Sequence, residues 1–521
     1  MDKALKDLPE TPEELRKLVS QLQAERDAFK QRADTLQEQV NILKAWRFGR
    51  RSEKFSDHPS LFDEAEAEEQ TLPEEEVSDS EPEGTVDVSG HKRTKGKRKP
   101  LPANLPRRKV IHDLSEEQKV CGEDGHTLVE IGRDISEQLE IIPAQVTVIR
   151  HIRLKYGCPH CHSGVQRAPM PPQPIPKALA TAAMLAFVAV SKYADALPLY
   201  RQNIILARSG VDLPRSTLAN WMIRCGQLVQ PLINLLRDRM LESGVIQMDE
   251  TSVQVLREDG KPASSKSYMW VQRGGPPGCS VILFDYDATR GGHVPKELLA
   301  DCKGWLQTDG YSGYLSVGNT EEIEHLGCWA HARRKFAEAL KAAGKKKSSK
   351  AGYAISLISK LYAIEKRIRE ASPEKRYDTR QGEALPILAK LKEWLNKWLP
   401  EVVSTSALGK ALSYLAEQWP RLIRYVEDGR LEIDNNGAEN AIRPFVIGRK
   451  NWLFSNSVRG VKASANLYSL IETAKTNGME PFIYLRHVFE KIPTAQTVDD
   501  FDALLPWNLN SDMTPKVKSA H

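Results

Sequence analysis

The sequence predicts a multidomain α/β protein. An N-terminal coiled-coil helix, a small cysteine-bearing β-hairpin and a helical region precede a mixed-sheet core with a helical insertion. Three observations predict it. Apolar residues recur every seven positions near the start, short β-branched runs cluster after Gly244, and residues 337–430 are helical in period between two stretches that carry isolated carboxylates. At 521 residues the chain is long enough for several cores.

Leu15, Leu22, Phe29, Leu36 and Leu43 fall at intervals of seven, with Val19, Ala33 and Val40 at the other seam position and Arg26 as its one polar member. A period sustained over about four heptads specifies a left-handed coiled coil, so residues 1–55 are expected to form a homodimer. The alternative is one amphipathic helix folded back on the body. Trp46 to Lys54 closes the helix with a basic, aromatic knot that either touches DNA or caps the zipper.

Residues 56–110 read as a linker. Positions 57–89 hold thirteen Asp and Glu and no Lys or Arg, so the net charge of +5 conceals a strongly basic remainder suited to a polyanion. His91 to Lys109 then carries nine Lys and Arg with three prolines and no acid. Lys97, Arg98, Lys99, Arg107 and Arg108 in this block are expected to contact DNA phosphates, or else to lie against the acidic stretch.

Residues 111–168 hold the CxxC pair Cys158 and Cys161, with Cys121 upstream. Asp134–Pro143 and Gln145–Lys155 alternate like two strands of a hairpin that brings Cys121 beside the pair. A closed tetrahedral zinc site needs four ligands. The chain offers these three thiols and Asp124 or His126, of which Asp124 has the CxxC-like spacing; the other reading is a metal-free hairpin with buried thiols. Seven cysteines thinly spread over so long a chain argue for reduced thiols rather than a disulfide framework. Residues 169–243, after a proline-rich hinge, resemble a helix-turn-helix, with a turn at Gly210, Ser216 capping the second helix, and Arg215 placed for DNA.

From residue 244 the pattern changes to strands. Val245–Leu256, Ser267–Arg273 and Ser280–Tyr286 are followed by a helix near Val294–Asp301 and a strand at Gly304–Thr308. This order suits a mixed sheet of the ribonuclease H-like kind, in which the first and fourth strands lie adjacent. Asp249 then sits beside Asp309. A buried strand does not carry Asp for stability, because an unpaired carboxylate costs several kcal/mol unless a cation meets it. Residues 244–336 form the first part of this core and end in Cys328, His331 and the basic face of Arg333, Arg334 and Lys335. Residues 337–430 are the insertion, with helices expected at Tyr353–Arg369, Glu383–Trp398 and Ser406–Glu427. In residues 431–492, Asp434 to Asn436 open a helix and put Glu439 near its first turn. Two strand-borne aspartates and a helix-borne glutamate are the oxygen ligands that a pair of magnesium (or manganese) ions needs, and such a pair clamps the attacking and leaving oxygens of a phosphodiester displacement. Arg443, Arg449, Lys450 and Trp452 follow, placed to grip phosphates and stack a base. Residues 493–521 are a C-terminal tail. No apolar run reaches the ~20 residues of a bilayer span and no secretory signal is read at Met1, so a cytoplasmic, nucleoid-associated protein with no membrane partner is expected.

With these motifs in one order, the chain resembles the large transposase subunit of the insertion sequence 66 family, a group of DDE transposases. The likeness is carried by Phe48 to Lys54, Ser136 to Leu139, Ile142 to Ala144, Met248-Asp249-Glu250-Thr251, Thr308-Asp309-Gly310-Tyr311, Cys328 to Phe336, and Asp434-Asn435-Asn436 through Trp452. It implies a catalytic triad of Asp249, Asp309 and Glu439. It implies cleavage at each transposon end by a metal-activated water, then attack of the freed 3′ hydroxyl on target DNA, with no covalent protein intermediate. The partners implied are transposon-end DNA, target DNA and accessory proteins of the same element. Cys328 and His331 resemble a CxxH element that supports the fold near the site rather than binding metal. Asp124 departs from the pattern, standing where a second cysteine of the zinc knuckle is expected. Two other readings are a non-enzymatic DNA-binding regulator and a ribonuclease H-like nuclease. The regulator reading leaves the three carboxylates and their strand placement unexplained.

Overall fold

The computed structural model describes residues 11–48, 145–157, 165–317, 322–342 and 349–509. Its contacts divide the chain into residues 52–150 and the rest. Of the first unit only residues 145–150 are described, and they are exposed and without regular structure.

Helix α1 (Pro12–Phe48) is uninterrupted, with Pro12 at the first position, where its missing N–H is no loss. Its seam residues Leu15, Val19, Leu22, Phe29, Leu36 and Val40 are all exposed, Phe29 to 70%. Strands β1 (Lys155–Gly157) and β2 (Val165–Arg167) pair antiparallel. The expected strand Gln145–Lys155 is thereby corrected. Residues 145–154 have no regular structure, and Val148 and Ile152 stand exposed. The hairpin partner Asp134–Pro143 lies outside the described residues.

Helices α2 (Ala182–Tyr193), α3 (Leu199–Arg208), α4 (Arg215–Leu228) and α5 (Gln230–Leu241) follow. The turn at Gly210 is present, with φ at +80°, the left-handed region that glycine enters without steric cost. The expected cap at Ser216 is not. The residue before α4 is Pro214, and no side chain caps the helix. Proline has no side-chain acceptor to offer there; its carbonyl takes Thr217 N–H at 2.9 Å instead. Helix α4 buries Leu218, Trp221, Met222 and Cys225 and leaves Arg215 exposed.

The sheet is built on β3 (Val245–Arg257), which pairs antiparallel with β4 (Lys266–Gly274), and β4 with β5 (Val281–Asp287). After α6 (His293–Leu298) the chain crosses to the other side of β3 and adds β6 (Gly304–Gln307) and β7 (Ile323–Leu326), both parallel. The order β5-β4-β3-β6-β7 puts the first and fourth strands side by side, as expected.

Helices α7 (Trp329–Ala342), α8 (Lys350–Arg367), α9 (Pro373–Thr379), α10 (Leu385–Trp398) and α11 (Ala407–Leu422) then form a helical body around Phe336, Leu361, Leu391, Leu415 and Trp419. Its buried ion is Arg380, fully enclosed. It is held by both oxygens of Glu365 and by the carbonyls of Tyr425, Asp428 and Leu431, which satisfies a charge that would otherwise be prohibitive. The chain leaves the sheet and returns through one place: Trp329 N–H donates to Ile433 O at 3.2 Å, and Gly327 N–H to Arg421 O at 3.2 Å.

The return leads into α12 (Asn436–Trp452), β8 (Ser455–Ser457), α13 (Val458–Thr476), α14 (Pro481–Lys491) and α15 (Val498–Asp502). Strand β8 pairs with the distal end of β3. Helix α13 covers the β5 edge: Ser469 accepts from Phe284 N–H, and Thr473 both accepts from and donates to the Ile282 backbone. Polar side chains thus satisfy an edge that would otherwise recruit another strand. The main core, with Met248, Trp270, Phe284, Phe445 and Tyr468, lies between the sheet and these helices. Among the described residues no helix is long and apolar enough to cross a membrane.

Candidate active site

Asp249 and Asp309 are placed by strand register. Gln247 of β3 stands opposite Gln307 of the parallel β6, and each aspartate follows two residues later. Neighbouring strands run about 4.8 Å apart and residues two apart share a face, so the two carboxylates emerge at one level on one side. Each is oriented by backbone: Asp249 Oδ1 accepts Glu250 N–H at 2.8 Å, and Asp309 Oδ1 accepts Tyr311 N–H at 2.9 Å. Below them Gln247 donates to Gln307 Oε1 at 2.8 Å, to Glu432 at 3.1 Å and to Asp434 O at 3.2 Å. Arg273 closes this buried group onto Gln247 and Glu432.

The same group fixes the start of α12. Asn435 stands at the N-cap without capping; its side chain donates to Met248 O at 2.8 Å instead, pinning the helix to β3 beside Asp249. Asp434 is buried, accepts from Asn436 N–H at 3.1 Å and takes the Tyr362 hydroxyl at 2.8 Å from the helical body. Glu439 thus lies in the first turn of α12, facing the sheet's acidic pair.

The electrostatics show how close these groups are. Burial pushes the Asp249 carboxyl up to about 8, with Glu250, Glu439 and Asp309 adding to the rise. Burial likewise raises Glu439, and Asp434 and Asp309 add to it, against Arg334 and Arg443. Carboxylates that repel one another in a half-buried site are what a hard divalent cation relieves, so the residues present fit magnesium or manganese.

Around the three carboxylates stand Glu250, Arg290 and Tyr314, to which the sequence reading assigns no role, and the expected pair Cys328 and His331. Glu250 is buried and raised, chiefly by burial; it takes the Tyr314 hydroxyl and a two-pronged contact from Arg290. The Arg290 guanidinium stacks on Tyr311, 3.8 Å from the ring centroid. Cys328 is buried, which pushes its thiol up to about 12, and its sulfur accepts Asn435 N–H at 3.3 Å. This bond ties the turn before α7 to the start of α12. His331 lies one turn on, its Nδ1 3.8 Å from Glu439 Oε1. Burial and the nearby Arg334 lower its pKa.

The expected DNA-contacting residues divide. Arg215, Lys335, Arg443 and Lys450 are exposed, and Arg333 and Arg334 are half-buried on α7, Arg334 near Glu439. Arg449 is a correction: its guanidinium donates to Thr251 Oγ1 at 2.8 Å and to the Ser252 carbonyl, so it ties α12 to β3. Trp452 is another. It packs edge-on against Phe445 at 5.5 Å under Lys192, since a large apolar ring beside an open core position is driven inward. Lys97, Arg98, Lys99, Arg107, Arg108 and the zinc candidates Cys121, Asp124, Cys158 and Cys161 lie outside the described residues; β1 and β2 bracket residues 158–164.

Comparison with known proteins matches four family models in chain order. Residues 35–110 match "Transposase C of IS166 homeodomain", and 118–162 match "zinc-finger binding domain of transposase IS66". Residues 177–463 match "Transposase IS66 family", and 469–507 match "IS66 C-terminal element". Among similar proteins, the uncharacterized protein y4jD of Sinorhizobium fredii (strain NBRC 101917 / NGR234) is 32% identical over 97% of this chain and 98% of its own length. The uncharacterized protein y4qI of the same strain is 33% identical over 95% and 92%. The sheet-borne acidic pair, the four family matches and the length of these alignments agree: the chain belongs to the IS66 transposase family.

Proposed function

We propose that this chain is a DDE transposase that cleaves DNA at insertion-sequence ends and joins it to target DNA on a ribonuclease H-like core. The observation that carries the reading is the approach of three carboxylates from separate elements, Asp249 on β3, Asp309 after β6 and Glu439 on α12: Glu439 and Asp309 add to the rise of the Asp249 carboxyl, and Asp309 to that of Glu439.

Asp249, Asp309 and Glu439 would hold two magnesium or manganese ions. Such ions activate the attacking oxygen and stabilise the leaving one at phosphorus. The chain's own part is positioning. The Gln247–Gln307 pair levels the two aspartates, Asn435 docks α12 on β3, and Arg334 and Arg443 put positive charge beside Glu439 where a phosphate backbone passes. The exposed α1 seam supports a homodimer, with basic residues of the linker and of α4, α7 and α12 on the DNA. Cys121, Cys158, Cys161 and Asp124 are the proposed zinc ligands, within the zinc-finger match. Accessory proteins of the element complete the partners, and a nucleoid-associated cytoplasmic location follows from the substrate.

The test is incubation of the full chain with magnesium, a labelled terminal inverted repeat and a second duplex. Joined product supports the reading. Cutting without joining leaves a nuclease, and retardation without cutting leaves a regulator.

A further inference from the structure

Beside the acidic triad lies a donor set of different chemistry. Cys328 ends the turn before α7, His331 stands in that helix's first turn, and Glu439 arrives from the first turn of α12. One sulfur, one imidazole nitrogen and one carboxylate oxygen all lie within 4.8 Å of one another. Ligands bound ~2.0–2.3 Å from a tetrahedral ion sit roughly 3.3–3.8 Å apart. The separation of His331 Nδ1 and Glu439 Oε1, 3.8 Å, falls at that spacing and beyond hydrogen-bonding reach.

Both of these atoms are buried without a hydrogen-bond partner. Two buried polar atoms left facing each other cost stability unless something stands between them. The sulfur is already oriented by Asn435 N–H, the kind of outer bond that holds a thiolate ligand in place. Sulfur and imidazole favour zinc and its relatives over magnesium, which prefers an all-oxygen shell. Three protein donors leave a fourth position open.

We propose that Cys328, His331 and Glu439 form a second metal site, selective for a zinc-like ion, that draws Glu439 away from the magnesium-binding triad and so switches the active site off. The site itself stands on the donor geometry. Its switching role rests on the transposase reading, because Glu439 is the shared residue.

Cobalt(II) is the probe, since its thiolate charge-transfer absorption reports sulfur ligation directly. The full chain is titrated beside Cys328→Ser and His331→Gln, with folding of each checked by thermal melting. The wild type should bind one ion more than either variant and show correspondingly more charge-transfer absorption, whatever the finger cysteines contribute to all three. Equal stoichiometry and spectra in the wild type and a folded variant would overturn the site. The ratio of magnesium-dependent end cleavage with and without micromolar zinc is then read within each protein. It should fall at least tenfold in the wild type and stay near one in the variants; equal inhibition in all three would overturn the switch. Absence of cleavage in the wild type without zinc would count against the transposase reading, while the cobalt difference still decides whether the site exists.

Discussion

Gln247 donates to Gln307 across two parallel strands at 2.8 Å, and each stands two residues before one of the paired aspartates, Asp249 and Asp309. The pair sets the level of both carboxylates and, through Glu432 and Asp434, the start of the helix that brings the third. Replacing Gln307 by Leu removes one of three acceptors of the Gln247 amide and takes from the Glu432 carbonyl its donor, at about 1–3 kcal/mol. Strand transfer should fall on the order of a hundredfold, because small misplacements of reacting groups are costly. Melting curves and joining assays on one preparation check both.

Asp249→Ala, Asp309→Ala and Glu439→Ala should each abolish end cleavage and strand transfer while retardation of end DNA persists, since binding rests on basic residues elsewhere. Unchanged joining in any one variant removes that residue from the triad.

Stability should depend on pH through Asp249. Its folded-state pKa, about 8, lies above that of an unfolded aspartate. The folded protein therefore holds the proton more tightly; the stabilisation is complete below the unfolded value near 4 and is lost as pH rises through about 8. In a chelator the melting temperature should fall between pH 5 and 9. Asp249→Asn should flatten the profile, and magnesium should restore the wild type most at the alkaline end. A chelated wild type as flat as Asp249→Asn would refute the assignment.

The seam of α1 should hold two copies together. Leu22 and Phe29 are exposed, and an acidic residue at either places charge in the seam of a coiled coil. Leu22→Asp with Phe29→Asp should shift sedimentation from dimer to monomer without changing the melting of the core.

Arg449 and Arg443 should behave oppositely. Arg449→Ala removes the tie to Thr251 and Ser252 and should lower stability by about 1–3 kcal/mol. Arg443→Ala should leave melting unchanged and reduce the salt slope of DNA binding by about one ion. Equilibrium retardation across a salt series distinguishes them.

The sheet was legible because its strands are β-branched runs bounded by glycine. Val245–Leu256 was expected where β3 spans Val245–Arg257, and Ser267–Arg273 where β4 spans Lys266–Gly274. The helical body was legible for the same reason, its period being local. The repeated Gln-x-Asp of Gln247 and Gln307 was in plain view, but its meaning lies in a register between strands far apart in sequence. The inward turn of Arg449 and Trp452 follows from what packs on α12, which no periodicity encodes. The meeting of Cys328 and His331 with Glu439 depends on the helical body returning the chain to its starting point.

That return has a consequence of its own. Since Gly327 and Trp329 are bonded to Arg421 and Ile433, the helices between them hang from the sheet like a pendant on a closed ring. Such a loop can be lengthened, shortened or exchanged wholesale while the clasp stays shut, which makes this body the natural place for related chains to vary in size without disturbing their catalytic strands.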